Sequence, residues 1–196
     1  MKPGVRVTGG AFRGRGLAVP ASARPTEGRV REALFSIWAD RLDRCRFLDL
    51  FAGSGVVGVE AASRGALHVL CVDQDLEAVR TIAANAVRLG EALLATRRLT
   101  LPAGLSRLAA EAAAGGAGAA GAAGGGLFDL AFADPPYRYD AYEALLVAVH
   151  PLLAAGGEAA VEHSSRHTLP PTAGPLVRTD SRRYGESSLS FYRAPE

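Results

Sequence analysis

The motif Asp134-Pro135-Pro136-Tyr137 follows an apolar run and contains residue types suited to holding an amino group on an aromatic ring. The exocyclic amine of guanine or adenine is a weak nucleophile because its lone pair is delocalised into the ring. The carboxylate of Asp134 and the carbonyl of Pro135 can both accept hydrogen bonds from this amine and favour a tetrahedral nitrogen. Two prolines hold these acceptors rigidly because proline fixes φ. Tyr137 offers a ring for base stacking. The motif therefore predicts catalysis on a nucleobase amine.

A glycine-rich turn, Gly53-Ser54-Gly55-Val56-Val57-Gly58, precedes this motif and is typical of nucleotide binding. Asp73 lies 20 residues after Gly53, where a carboxylate can bind ribose hydroxyls. A dinucleotide places its pyrophosphate at the N-terminus of the following helix, which disfavours nearby negative charge. Asp49 stands four residues before Gly53 and instead favours a ligand with an ammonium group, such as S-adenosylmethionine. An NAD-dependent dehydrogenase is the first alternative, although it has no need of the motif at Asp134.

The alternation of apolar runs with helical spacing predicts an α/β fold with a mostly parallel, seven-stranded sheet. Strands are expected at residues 47–51, 68–72, 99–101, 127–133 and 158–162, and helices at 57–64, 76–89, 105–113 and 139–153. Two further runs, 176–182 and 188–192, predict a terminal antiparallel hairpin. Ligands bind at the carboxyl ends of the strands in such sheets, where the glycine-rich turn and Asp134 both lie.

Residues 1–45 are expected to form an N-terminal extension, and residues 46–196 a catalytic domain. Extended runs around the Gly/Arg-rich bend at 9–15 predict a hairpin, and apolar residues at helical spacing after Thr26, a plausible N-cap, predict a helix. Phe35 and Trp38 lie on the apolar side of this helix and are assigned to the core.

The positive charge of the chain is concentrated in the same extension. Ten basic residues and four acids give residues 1–46 a charge of +6, against −4 for the rest of the chain. Such asymmetry indicates a segment that binds a polyanion, and guanidinium groups suit phosphate recognition. The candidates for contacts with RNA phosphates are Arg6, Arg13, Arg15, Arg24, Arg29 and Arg31.

The remaining features set the expected context of the protein. The tract 112–126 contains only alanine and glycine and predicts a surface insertion. His163 and His167 lack a third ligand at a regular interval, so no metal site is expected. No apolar run is long enough to cross a membrane, and the N-terminus lacks the apolar block of a secretion signal. We therefore expect a cytoplasmic protein with no membrane partner.

Several stretches together resemble the bacterial 16S rRNA guanine-N2 methyltransferase family, which has the class I, Rossmann-like fold. The matching residues are 6–15 (RVTGGAFRGR), 24–26 (RPT), 29–35 (RVREALF), 49–58 (DLFAGSGVVG), 60–61 (EA), 63–66 (SRGA), 134–137 (DPPY) and 184–185 (YG). The glycine-rich turn and the DPPY motif occur in many amino-methyltransferases. The N-terminal stretches are more specific, and they point to rRNA.

The resemblance implies transfer of a methyl group from S-adenosylmethionine to N2 of a guanine in 16S rRNA, guanine 966, during small-subunit assembly. In the family, Asp134 and Tyr137 would hold the base, and the N-terminal arginines would meet the RNA. A monomer that acts on the small ribosomal subunit or its assembly intermediate is expected. The cofactor residues assigned on this basis are Asp49, Phe51, Gly53, Ser54, Gly55, Asp73 and Gly104.

One stretch departs from the family pattern. Related enzymes often place Asn or Asp near the adenine amine after the third strand, whereas residues 101–105 here read LPAGL. On this strand assignment, backbone groups alone would recognise the adenine. Three alternatives stay open: an adenine-N6 methyltransferase acting on DNA or RNA, an NAD-dependent dehydrogenase, and a non-catalytic RNA-binding protein with a methyltransferase fold.

Overall fold

The computed structural model of the chain describes residues 4–21, 28–90, 94–114 and 127–196. Its strands are β1 (Val5–Arg6), β2 (Gly16–Leu17), β3 (Arg46–Leu50), β4 (His68–Asp73), β5 (Leu94–Arg98), β6 (Phe128–Ala133), β7 (Leu153–Ser164), β8 (Thr172–Ala173), β9 (Leu176–Tyr184) and β10 (Ser187–Arg193). Its helices are α1 (Gly28–Ile37), α2 (Val56–Ser63), α3 (Leu76–Leu89), α4 (Leu105–Ala113) and α5 (Tyr142–Val149), with 3₁₀ helices at Ala39–Arg41 and His150–Leu152.

Strands β3 to β10 form one sheet in the order β5-β4-β3-β6-β7-β10-β9-β8. The first five strands in this order pair in parallel, and the last three continue the sheet in antiparallel fashion. This is the predicted α/β architecture with its terminal hairpin. The two-residue strand β8 adds an eighth strand at the edge. Strands β1 and β2 pair separately as the predicted N-terminal hairpin.

Apolar residues cover both faces of the sheet, as expected for buried parallel strands. Helices α1, α2 and α3 pack on one face, and α4 and α5 on the other. Phe35 and Trp38 of the first layer are fully buried, which confirms their assignment to the core. The Trp38 ring meets Phe47 and Phe191 edge-on, with centroids 5.9 and 5.8 Å away. Within the described ranges, every helix is too short or too polar to cross a membrane.

The edge strand β5 lies at Leu94–Arg98, so the strand predicted at residues 99–101 was wrong. An edge strand has one neighbour in the sheet and exposes part of its length, and it tolerates charged residues such as Arg97 and Arg98. The apolar pattern therefore missed it. Residues 101–104 form a turn instead. The prediction that backbone groups alone recognise the adenine assumed that residues 101–105 directly follow the third parallel strand. Leu99 and Thr100 are the residues that follow this strand.

Other bounds differ for local reasons. Helix α5 is shorter than the predicted 139–153, because residues before Tyr142 form a turn in which the Tyr139 amide donates to the Pro136 carbonyl at 2.7 Å. Strand β7 is longer than the predicted 158–162, since it has partners on both sides in β6 and β10. Within the 112–126 tract, residues 112–113 end α4. Thr26, Arg24 and residues 115–126 lie outside the described residues.

The N-terminal extension is linked to α2 by hydrogen bonds and ion pairs with Glu60, whose side chain is fully buried. Arg31 of α1 donates from Nε to Glu60 Oε2 at 2.9 Å, and Arg64 donates from Nη2 to Oε1 at 2.7 Å. The Thr8 amide donates to the same carboxylate at 3.3 Å, and the Thr8 hydroxyl donates to it as well. Arg31 also donates to the Arg6 carbonyl at 3.1 Å. One carboxylate of α2 thus binds both the hairpin and the helix of the N-terminal segment.

Two further side chains hold the backbone of the extension. Ser63, at the end of α2, accepts from the Phe12 amide at 2.8 Å and donates to the Gly9 carbonyl at 2.6 Å. Asn85 of α3 accepts from the Ala18 amide and donates to the Ala18 carbonyl, both at 2.9 Å. The Gly/Arg-rich bend is therefore positioned by α2, and the chain after β2 by α3.

The substitution Glu60→Gln should lower the free energy of unfolding by about 3 kcal/mol, because it leaves the buried charge of Arg31 without its counter-ion. The matched control is Glu111→Gln in the exposed Arg107–Glu111 pair, where we expect a loss below about 0.5 kcal/mol. Urea unfolding of both variants measures the difference. Equal losses in the two variants would show that Glu60 does not anchor the extension.

Candidate functional site

The carboxyl ends of three neighbouring strands bring the predicted site residues together. Leu50 of β3 pairs with Val72 of β4 on one side and with Ala133 of β6 on the other. Each strand ends at or next to this row, so Phe51, Asp73 and Asp134 follow it on adjacent strands. The Asp134 amide donates to the Leu50 carbonyl at 3.4 Å. The glycine-rich turn and the DPPY motif therefore begin side by side, as the sequence predicted.

The glycine-rich turn leaves β3 through residues with positive φ and enters α2. Phe51 has a φ of 57°, and Gly55, the residue before α2, has a φ of 73°. A Cβ atom on Gly55 would lie 2.8 Å from Ile82 Cγ1, and one on Gly58 would lie 2.4 Å from Cys71 Sγ. Glycine is required at both positions because α3 and β4 approach the backbone so closely. The close packing keeps the turn short.

Asp49 lies beneath this turn and is only 1% exposed. Its Oδ2 accepts from the Gly58 amide at 2.9 Å, in the first turn of α2. Burial raises the pKa of this carboxyl from 3.8 to about 7; the Gly58 hydrogen bond lowers it and the charge of Asp134 raises it. Because the folded pKa exceeds the unfolded one, the stability this group contributes is present below pH 3.8 and is lost as pH rises through about 7.

Asp73, the last residue of the neighbouring strand β4, binds the backbone of the glycine-rich turn. Its Oδ2 accepts from the Gly53 amide at 2.8 Å, and its Oδ1 accepts from the Asp75 amide at 2.9 Å. Each carboxylate oxygen has a further lone pair, so Asp73 can still accept hydrogen bonds from a ligand. The Asp73 carbonyl accepts from the Leu99 amide at 3.0 Å. This bond ties the loop that leads to Gly104 to the same edge of the sheet.

Gly104 immediately precedes α4, and its amide donates to the Thr100 carbonyl at 2.7 Å. A Cβ atom there would lie 2.9 Å from both Leu99 Cβ and the Thr100 carbonyl oxygen. Gly104 is therefore needed for a tight loop between β5 and α4. Nothing in its geometry assigns it a second role.

The DPPY motif presents a buried and an exposed part. Asp134 is half-buried, Pro135 is buried, and Tyr137 is 63% exposed. The negative charge of Asp134 contributes to the raised pKa of Asp49. The Asp134 carboxylate and the Pro135 carbonyl can accept hydrogen bonds from the edge of a planar base. The exposed ring of Tyr137 can stack on the face of that base.

An aromatic row beside the motif was not predicted from the sequence. Tyr139 contacts Phe51 and Tyr142 edge-on, with ring centroids 5.3 Å away in each case. The Tyr139 hydroxyl is buried, and it has no hydrogen-bond partner among the described residues. Tyr142 in turn contacts the rings of His163 and His167. Tyr139 and Tyr142 both fell within the helix predicted at residues 139–153, and this prediction obscured their place in the row.

The predicted RNA arginines fall into two classes. Arg6, Arg13, Arg15 and Arg29 are exposed, as a phosphate contact requires. Arg31 is 3% exposed and binds Glu60, so its assignment to RNA is corrected here. The helix that carries Arg31 was predicted, but the sequence did not show that Arg31 forms a buried ion pair with Glu60. Arg24 lies outside the described residues.

The histidines are engaged within the protein. His163 Nε2 lies 2.9 Å from Ser190 Oγ, and His163 Nδ1 lies 3.0 Å from the Ser164 carbonyl oxygen. Burial lowers the pKa of His163, so the neutral form is favoured. His163 is therefore part of the β7–β10 pairing, where a hydroxyl and a carbonyl satisfy its ring nitrogens.

The chain is similar to known proteins over nearly its whole length. The family model described as "conserved hypothetical protein 95" matches residues 5–193. The "Putative rRNA methyltransferase YlbH" of Bacillus subtilis is 36% identical over 96% of this chain and 98% of the relative. The "Ribosomal RNA small subunit methyltransferase D" of Escherichia coli is 35% identical over 68% of this chain and 61% of the relative.

A solved structure extends the similarity to the whole fold. The "Putative methyltransferase yhhF" of Escherichia coli superimposes with a TM-score of 0.77 at 27% identity, covering 98% of each chain. The sheet described above is thus the class I methyltransferase sheet. Since the family model matches nearly the whole chain and both relatives exceed 30% identity, the chain belongs to the family described as conserved hypothetical protein 95 and is a relative of the ribosomal RNA small subunit methyltransferases D.

Proposed function

We propose that the chain transfers a methyl group from S-adenosylmethionine to the exocyclic N2 of a guanine in 16S rRNA. The observation that carries the proposal is the position of the Asp134-Pro135 acceptors directly beside the glycine-rich turn that follows Asp49. The related proteins named as rRNA methyltransferases support the substrate class. In this proposal the protein works as a cytoplasmic monomer on the small subunit or its assembly intermediate, with guanine 966 as the target implied by the family.

The glycine-rich turn suits S-adenosylmethionine because its donors and acceptors match the parts of that molecule. Asp73 retains lone pairs for ribose hydroxyls. Gly53 is the partly exposed residue of the turn, whereas Ser54 and Gly55 are buried, and the Gly53 and Gly55 amides donate to Asp73 and to the Ala52 carbonyl. The family resemblance assigns all three residues to the methionine side of the cofactor. The negative charge of Asp49 below the turn favours the ammonium group. Phe51 directly follows β3, and Gly104, in the loop between β5 and α4, completes the cofactor residues that the family resemblance implies. When bound, the cofactor supplies a methyl group already activated on a sulfonium.

The residues of the DPPY motif would prepare the base. Asp134 and the Pro135 carbonyl accept from the two N–H bonds of the amine and favour the lone-pair-bearing geometry, while Tyr137 stacks on the ring. No strong base is needed, because the leaving group of the methyl donor is neutral. The proton leaves the nitrogen late and passes to water. The buried position of Pro135 keeps the acceptor pair fixed during this step.

The substitution Asp134→Ala should lower the rate of methyl transfer by roughly 10² to 10⁴-fold, because one of the two acceptors for the amine is lost. Transfer of labelled methyl groups to small-subunit rRNA measures the rate, and calorimetric titration measures cofactor binding. Asp43→Ala, on an exposed loop before β3, is the control and should retain the wild-type rate. A D134A variant with full activity would remove Asp134 from the mechanism.

Cofactor affinity should decrease as pH falls below about 7, by up to about tenfold per pH unit, because protonation of Asp49 removes the charge that favours the ammonium group. Calorimetric titrations between pH 5.5 and 8 measure this dependence. The variant Asp49→Asn should bind more weakly at pH 8 and show a flat profile. If the wild-type protein has the same affinity at both ends of the range, Asp49 does not act on the cofactor through its charge.

Replacing both Arg13 and Arg15 with Gln should weaken RNA binding and flatten its salt dependence, since each lost phosphate contact reduces the slope of log affinity against log salt by roughly 0.7 for single-stranded RNA. Filter binding at several salt concentrations gives the slope. Arg107→Gln on α4, exposed and paired with Glu111, is the control. An unchanged slope in the double variant would exclude the bend from the RNA surface.

A further inference from the structure

Glu162 occupies the position next to Asp134 on the neighbouring strand. Strands β6 and β7 pair in parallel, and the last paired residues are Ala133 and Val161. Asp134 and Glu162 each come one residue later, at the same level of the sheet. Neighbouring strands lie about 4.8 Å apart, so the two residues are direct neighbours.

Both residues also project to the same face of the sheet. Phe132 and Ala160, two residues earlier on each strand, belong to the layer covered by α1, α2 and α3. Side chains alternate along a strand, so Glu162 points to that side as well. Asp134 directly follows β6, and its charge raises the pKa of Asp49, which accepts from Gly58 of α2 in the same layer. Glu158, four residues before Glu162, confirms the face, because it accepts from Trp38 Nε1 of that layer at 2.6 Å. Glu162 is 8% exposed, which makes it a nearly buried carboxyl group at the carboxyl end of the sheet.

We propose that Glu162 selects guanine by accepting a hydrogen bond from N1–H of the target base; this rests on the proposed function. Guanine carries the N1–H donor directly beside the N2 amine, so its edge offers adjacent donors. Two neighbouring carboxylates, Asp134 for the amine and Glu162 for N1–H, are complementary to that edge. Adenine presents a lone pair at N1 beside its N6 amine, and a carboxylate opposite that lone pair repels it.

The role of Glu162 explains a preference for guanine over adenine, which the DPPY motif alone does not explain. Asp134 and Pro135 accept from an amine on either purine, so they do not distinguish N2 of guanine from N6 of adenine. A carboxylate opposite N1–H gains a charge-assisted hydrogen bond, whereas the same carboxylate opposite a lone pair is repelled, so a site built around it rejects analogues that lack the donor. Glu162 therefore discriminates guanine from adenine, and Asp134 prepares the amine for methyl transfer.

The direct test uses substrate RNA in which the target guanine is replaced by 2,6-diaminopurine. This base keeps the N2 amine but has a lone pair in place of N1–H. The wild-type protein should methylate guanine with a kcat/KM at least about 100-fold higher than that of 2,6-diaminopurine. Mass spectrometry of the product nucleosides identifies the methylated nitrogen. Methylation of N2 in both bases at similar kcat/KM would overturn the role of Glu162.

The variant Glu162→Gln tests the same role from the protein side. A glutamine can turn its amide N–H towards the lone pair at N1, so the preference for guanine should shrink to within about tenfold. The control is Glu158→Gln on the same strand and face, which contacts Trp38 and should leave the preference unchanged. A preference that stays at its wild-type value in E162Q would contradict the proposal.

The two proposals fail in different ways. If the wild-type protein forms no N2-methylguanosine on any RNA, the proposed function is wrong. If it forms N2-methylguanosine but does not distinguish the two bases, only the assignment of Glu162 is wrong. Because the wild-type comparison needs no substitution, a folding defect in E162Q does not affect this distinction.

Discussion

Leu50 of β3 pairs with Val72 of β4 and with Ala133 of β6, and these two contacts set the level at which three strands end. The turn after β3, the carboxylate at the end of β4 and the DPPY motif after β6 therefore meet at one edge. A shift of one residue in any pair would turn a site residue towards the opposite face. The proposed chemistry at this edge depends on that register.

The helix that starts at the glycine-rich turn also holds the N-terminal extension. Gly55 precedes α2, and Glu60 and Ser63 near its end bind Thr8, Arg31 and the bend at residues 9–15. Eight residues thus connect the proposed cofactor turn to the proposed RNA surface. A short helix fixed at both ends by buried contacts keeps the exposed arginines at a constant position relative to the strand ends.

Local signals predicted which candidate site residues lie at the ends of strands. The glycine-rich turn, Asp73 and the DPPY motif were placed correctly, because spacing and turn residues identify strand ends. The sequence could not place β5, since an exposed edge strand with Arg97 and Arg98 lacks an apolar run. It also could not separate Arg31 from the exposed arginines, because its partner Glu60 is 29 residues away. The relative positions of distant segments, such as Asp134 and Glu162 one residue beyond the last pair of β6 and β7, became visible only in the fold.

The identity of the methylated nucleoside tests the central claim most directly, since it reports which amine the Asp134-Pro135 acceptors hold beside the cofactor turn. Small-subunit particles that lack the modification would be incubated with the protein and S-adenosylmethionine, and their rRNA digested for mass spectrometry. The account predicts one new nucleoside, N2-methylguanosine. Formation of N6-methyladenosine, or no methylation by a protein that binds the cofactor, would contradict it.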